Sequence, residues 1–154
     1  MNILLALVLL ATATSSSDSR VDWMRPDSFH LKVGMQRNEA LQALNSWSPK
    51  KGSSDDEIVV DYSDERALTL VFRNDRLQSV RFELFVMLPE ARKAFEEERL
   101  YLRDTFGEPR KTTESVLIYD QTLPNIMVVV GDDPKSKQGE QGVGVLAVRY
   151  YDPR

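Results

Sequence analysis

Leu68-Thr69-Leu70-Val71-Phe72-Arg73-Asn74-Asp75-Arg76-Leu77-Gln78-Ser79-Val80-Arg81-Phe82-Glu83-Leu84 is the stretch that decides the fold. Leu68, Leu70 and Phe72 alternate with Thr69 and Arg73, and Val80, Phe82, Leu84 and Val86 alternate with Arg81 and Glu83. A period of two gives each strand one apolar face and one wetter face. Between the runs stand Asn74 and Asp75, which tolerate left-handed backbone best after glycine, so a two-residue loop makes a tight hairpin. Ile58 to Tyr62 supplies a strand before it, and the three form a meander.

Downstream, Pro89 opens a longer helix, where its fixed φ and missing N–H cost nothing, and Gly107-Glu108-Pro109 stops it. Ala91, Phe95, Leu102 and Phe106 share one side, while Arg92 and Glu96, and Lys93 and Glu97, have i,i+4 pairing distance. Glu96-Glu97-Glu98-Arg99 is therefore expected as a solvated face. Three further strands follow at Val116 to Gln121, Ile126 to Gly131 and Val143 to Tyr151, with Asp132 to Gly142 an exposed excursion. Upstream, Phe29, Leu31 and Val33 alternate with His30 and Lys32 and predict a strand that Gly34 ends. Ala40, Leu41, Leu44 and Trp47 then form one helix face, closed by Pro49 and Gly52. Gln36 and Glu39 stand at capping-box spacing before it.

The order is helix plus three strands, twice, with the second round starting near Leu88. It predicts an α+β fold: two helices on one face of an antiparallel sheet of about six or seven strands, as a tandem α-β-β-β repeat. Leu70, Phe72, Phe82, Phe95 and Phe106 are the expected core. The other face would carry Thr69, Arg81, Glu83, Arg149 and Tyr151.

The amino terminus predicts an address. Ile3 to Leu10 is an uninterrupted apolar run ending at Ala11-Thr12-Ala13, the layout of a cleaved signal peptide over residues 1–13 and too short for a bilayer span of about 20 residues. Residues 14–27 are then expected as a flexible lead-in and 28–154 as a single domain, periplasmic or secreted, without a stable membrane anchor after cleavage. The chain has no cysteine, so stability comes from packing. A net charge of -4 disfavours nucleic acid and anionic membrane and leaves another protein, of basic character, as the expected partner.

Phe29-His30-Leu31-Lys32-Val33-Gly34-Met35-Gln36-Arg37-Asn38-Glu39-Ala40, followed by Leu70-Val71-Phe72-Arg73-Asn74-Asp75-Arg76-Leu77, resembles a known class. Exported β-lactamase-inhibitory proteins and the small lipoproteins of the outer-membrane barrel-assembly machinery share a Gly-Met-x-x-x-Glu helix start and a Phe-x-Asn-Gly-x-Leu hairpin. The resemblance spans residues 29–85 and implies a sheet surface offered to another protein, without catalysis. The chain departs from those relatives in lacking cysteine and in placing Asp75 where the hairpin glycine is usual.

No catalytic motif stands out. His30 is the only histidine and has no ligand-like neighbours, so neither a metal nor a cofactor is expected. No serine lies in a Gly-x-Ser-x-Gly elbow. Asp55-Asp56-Glu57, Asp61 to Glu65 and Asp132-Asp133 do not follow an EF-hand pattern, and a glycosidase pair would have to be assembled from separate strands. Gly131, Gly139, Gly142 and Gly144 lack the helix and Lys-Ser/Thr of a phosphate loop. Tyr150 and Tyr151 must point to opposite faces of a strand, and the outward one, with Arg81 and Arg149, is the expected binding surface. The expected function is an exported protein-binding module, an envelope scaffold or an enzyme inhibitor. The alternatives are an envelope polysaccharide or peptide hydrolase using carboxylates, which demands a deep cleft, and a small-ligand carrier, which demands an enclosed apolar pocket.

Overall fold

The computed structural model describes residues 19–120, 122–135 and 142–154. The expected signal peptide, the first part of the lead-in, Gln121 and the centre of the Asp132–Gly142 loop lie outside the described residues.

The hairpin forms as its residues require. Asn74 and Asp75 have φ values of 51° and 57°, the two successive left-handed positions that match a tight turn to the twist of its strands. The turn joins β3 (Arg66–Arg73) to β4 (Arg76–Met87), with β1 (Lys50–Lys51) and β2 (Glu57–Ser63) preceding them. The second set is β5 (Lys111–Thr112), β6 (Val116–Tyr119), β7 (Asn125–Asp132) and β8 (Val143–Tyr151). All join one antiparallel sheet of eight strands in the order β1-β2-β3-β4-β8-β7-β6-β5. The class is α+β as expected, with two more short strands at the edges, so each round is a helix plus four strands.

The two rounds meet at β4 and β8, where Arg81 lies opposite Arg149, Val80 opposite Tyr150, and Phe82 opposite Val148. This register is symmetric under exchange of Val80-Arg81-Phe82 with Val148-Arg149-Tyr150, so an approximate two-fold axis passes between the arginines. Both outer edges are two residues long and carry lysine, which blunts them against pairing with other chains.

Helix α1 (Arg37–Ala43) is one segment shorter than its apolar face suggests, because a 3-10 turn over Asn45–Trp47 replaces its last part. Its start holds the return half of a capping box, the Gln36 N–H donating to the Glu39 carboxylate at 3.1 Å. Helix α2 (Leu88–Phe106) buries Ala91, Ala94, Phe95 and Leu102 against the sheet. It settles close because Gly144 of β8 has no side chain: a Cβ there would lie 2.8 Å from the Leu88 Cα.

Four expectations are corrected. The predicted strand at 29–33 is absent; Pro26–Phe29 is a 3-10 turn and His30 is left-handed with φ 55°. The alternation arose because Phe29 and Leu31 reach the core from an irregular strap. The described part of the lead-in is packed, Val21 and Met24 being buried in the same core, so the domain begins before residue 28. The Glu96–Arg99 run is not uniformly solvated: Glu98 is 0% exposed, and Glu96 pairs with Arg99 at 2.7 Å instead of with Arg92. Phe106 leaves the core at 45% exposure, its ring tilted against Tyr119 of β6 at the wall of a cleft, whereas Leu70, Phe72, Phe82 and Phe95 are buried as expected.

Candidate functional site

Both helices and the strap lie on one side of the sheet. Met24 and Phe29 meet Tyr150 and Phe82 there, and α2 meets Gly144. The opposite face has no layer over it among the described residues. One row crosses all eight strands of this open face: Lys50, Val59, Thr69, Arg81, Arg149, Met127, Ile118 and Lys111. Read from the centre outward, the two halves match in chemistry: Arg with Arg, Thr with Met, Val with Ile, Lys with Lys. The parallel row on one side holds Ala67, Glu83, Ala147, Val129 and Val116, and beyond it Phe85 faces Val145. Nine apolar side chains, from Phe85 and Val145 to Met127 and Ile118, thus share with the central cations a face that no element covers among the described residues.

The expected binding residues divide by parity. Arg81, Arg149 and Tyr151 stand on the open face, as alternation from Arg149 demands. Tyr150 is corrected: it is buried at 5% exposure, its hydroxyl donating to the Met24 carbonyl at 3.0 Å. The outward tyrosine is Tyr151, over which the Arg149 guanidinium lies 5.1 Å from the ring centre. Arg81 leans toward Glu83 at 3.5 Å. Thr69, expected on this face, is there but shielded beneath its longer neighbours.

Neither family models, curated proteins nor solved structures match the chain. No helix among the described residues is long and apolar enough to cross a membrane.

Two clefts on other surfaces bear on the alternatives. The first, about 400 Å³, is floored by Leu31, Ile126 and Tyr150 and walled by Tyr101 and Phe106 of α2, with Arg25 at one end. Arg25 holds a buried network that sequence reasoning missed. Its guanidinium donates to both Glu98 oxygens at 3.1 and 2.8 Å and to the Met24 carbonyl at 2.9 Å, and stacks 3.7 Å from the centre of the Tyr101 ring. Burial pushes the Glu98 carboxyl up to about 7, against the pull of Arg25. Burial opposes the Arg25 charge, but Glu98 outweighs it and holds the guanidinium above its usual value. Burial, with Glu98 nearby, also raises the Tyr150 phenol. The network fastens the strap to α2, which is a structural task.

The second cleft, about 310 Å³, brings Glu108 and Asp120 together near Tyr119 and Thr122. Arg110 pairs with Asp120 there, and the Tyr119 hydroxyl donates to the Gly107 carbonyl at 3.1 Å. This cleft holds the two carboxylates a hydrolase would use, and one of them is already held by a cation. Among the described residues, no group of three or more His, Cys, Asp or Glu side chains is arranged to hold a metal ion.

Proposed function

We propose that the chain is an exported, non-enzymatic protein-binding module, an envelope scaffold or an enzyme inhibitor, and that it meets its partner with the open face of the sheet. The observation that carries this reading is the uncovered face itself. One side of the sheet is roofed and both edges are blunted by short, lysine-bearing strands, which leaves an unroofed surface of apolar groups around central arginines. Large exposed apolar patches on a folded domain mark interaction surfaces. Export rests on the apolar run and the small-x-small exit at Ala11-Thr12-Ala13.

The test is affinity capture from envelope extract with the wild-type chain and with Val129→Asp, which alters only the open face. A stoichiometric partner held by the first and lost by the second supports the reading. Loss of no partner, together with turnover of a cell-wall substrate, favours the hydrolase alternative. Intact-mass measurement of the protein from its own host tests export: a chain beginning at or near Thr14 is expected, and a retained Met1 in cytosolic material overturns it.

The small-ligand carrier stays as a second reading because the first cleft has the size of small-molecule sites, about 300 to 1,000 Å³, and a mostly apolar lining. An environment-sensitive apolar dye displaced by Phe106→Trp, with the open face unaffected, would favour it.

A further inference from the structure

Arg81 and Arg149 are direct cross-strand neighbours at the middle of the open face. Like charges placed opposite one another in a sheet are destabilising, so this pair is a cost to the isolated fold. The acids sharing the face do not relieve it evenly. Lys50 engages Asp61, and the Glu57 carboxylate accepts from Ser53. Glu83 serves Arg81 alone, and Arg149 has no carboxylate at ion-pair distance among the described residues. Among the described residues it lies over the Tyr151 ring, 5.1 Å from its centre, a contact that does not neutralise it. Further toward the hairpin, Arg73 and Arg76 form a second facing pair and line a shallow cleft in which Asp152 engages Arg154. The open face is therefore cationic at its centre, although the chain as a whole carries a net charge of -4.

Resting on the open-face reading above, we infer that the partner is an acidic protein segment, one that sets a carboxylate on Arg149 and Arg81 and an adjacent large apolar side chain on Met127 and Ile118. The register sets the spacing. Met127 is on the strand next to Arg149 and Ile118 one strand further, so with strands about 4.8 Å apart the apolar contact lies about 5 to 10 Å from the carboxylate. A planar guanidinium takes a carboxylate through two parallel N–H donors, a geometry that a lysine does not offer. A second copy of this chain is the wrong occupant, because stacking two open faces about the central axis would gather four guanidinium groups. The sign also differs from that suggested by the total charge: Asp61 and Glu83 on the face are each held by a cation, and Arg149 at its centre is left positive.

The test pans a random peptide library displayed on phage against the full chain, then measures recovered peptides by titration with Arg149→Glu, Arg149→Lys and Met127→Asp, each checked for an unchanged circular dichroism spectrum. Peptides rich in Asp or Glu beside Leu, Ile, Phe or Met are expected. Their affinity should fall at least about tenfold in Arg149→Glu and less in Arg149→Lys, and should weaken with added salt. If the peptides are neutral or basic, or none is enriched, the acidic partner is refuted. If Met127→Asp abolishes binding while Arg149→Glu leaves it intact, the open face binds but the charge inference fails. If neither variant changes binding, both the inference and the open-face reading fail. Sedimentation with phosphatidylglycerol vesicles, but not phosphatidylcholine vesicles, in an Arg149-dependent manner would assign the surface to an anionic membrane and overturn a protein partner.

Discussion

The two halves of the sheet share a strand order and carry different roofs. Over β7, β8 and the adjoining part of β4 lies a single regular element, α2, whose Ala91, Ala94, Phe95 and Leu102 pack as a helix stripe. Over β2, β3 and β4 the corresponding helix α1 has seven residues, and the irregular strap before it fills much of the remaining space. Trp23 stacks on Tyr62 at 5.6 Å and meets Phe82 edge-on, while Phe29 contacts Tyr62, Phe82 and Trp47. Large rings here do what a longer helix does on the other side. The lesson is that a repeated sheet needs equal volume above each half, and volume can come from regular or irregular backbone alike.

The sharpest attack on this comparison is to hollow out each roof in turn. Phe95→Ala should cost about 3 to 5 kcal/mol, the range for removing a buried aromatic, and Phe29→Ala should cost a similar amount if the strap is a true roof. Denaturant unfolding measures both; a loss under about 1 kcal/mol for Phe29 would reduce the strap to a surface ornament. The next attack is on the seam between the roofs. Arg25→Ala leaves Glu98 buried without its cation and should cost about 3 kcal/mol or more, whereas Glu98→Leu, which removes the charge and keeps volume, should cost much less. Equal losses for the two variants would mean that packing, and not charge, holds the seam.

Acidity tests the same seam more gently. Glu98 has a folded-state value of about 7 against an ordinary 4.5, so the folded state binds its proton more tightly than the unfolded chain. Its contribution is fully present below about pH 4.5 and is lost as pH rises through about 7, on the order of a few kcal/mol in all. Unfolding at pH 5 and pH 8 should show wild type losing more stability on the way up than Glu98→Gln; parallel behaviour would contradict the burial argument. Gly144→Val, by forcing α2 away from β8, should cost about 1 to 3 kcal/mol. Smallest of all, Phe106→Ala should cost under about 1 kcal/mol, because nearly half of that ring is already in water. A loss as large as that of Phe95→Ala would show that α2 ends against the core and not beyond it.

Much of this was legible where one physical signal acted alone. Strict alternation on either side of Asn74-Asp75 predicted β3, its tight turn and β4, because only left-handed-tolerant residues fill such a loop. That Arg81, Glu83 and Arg149 share one face followed from the same period, and the pairing of β4 with β8 shows that this is the unroofed one. The strap was not legible: Phe29, Leu31 and Val33 mimic a strand, and nothing local shows that His30 turns left-handed. Glu98 was hidden inside a run of charges whose helix partners looked sufficient, since its true partner, Arg25, is far away in the chain. Tyr150 could have been placed inward from Arg149 beside it, as a charged residue fixes the wet parity of a strand. The match between Val80-Arg81-Phe82 and Val148-Arg149-Tyr150 became visible only when pairing set them face to face.

The position of β8 has a consequence in time. It follows every other strand in the chain, yet it sits at the middle of the sheet, between β4 and β7. As the chain emerges from its amino terminus, β4 and β7 each complete one hydrogen-bonded side and then wait with the other side bare. The strap waits as well, since the Met24 carbonyl receives its bond from Tyr150. Two half-built sheets with open apolar edges cannot close until β8 arrives, so the fold is gained late and all together. Such a chain becomes rigid only on completion, with the central strand acting as the clasp.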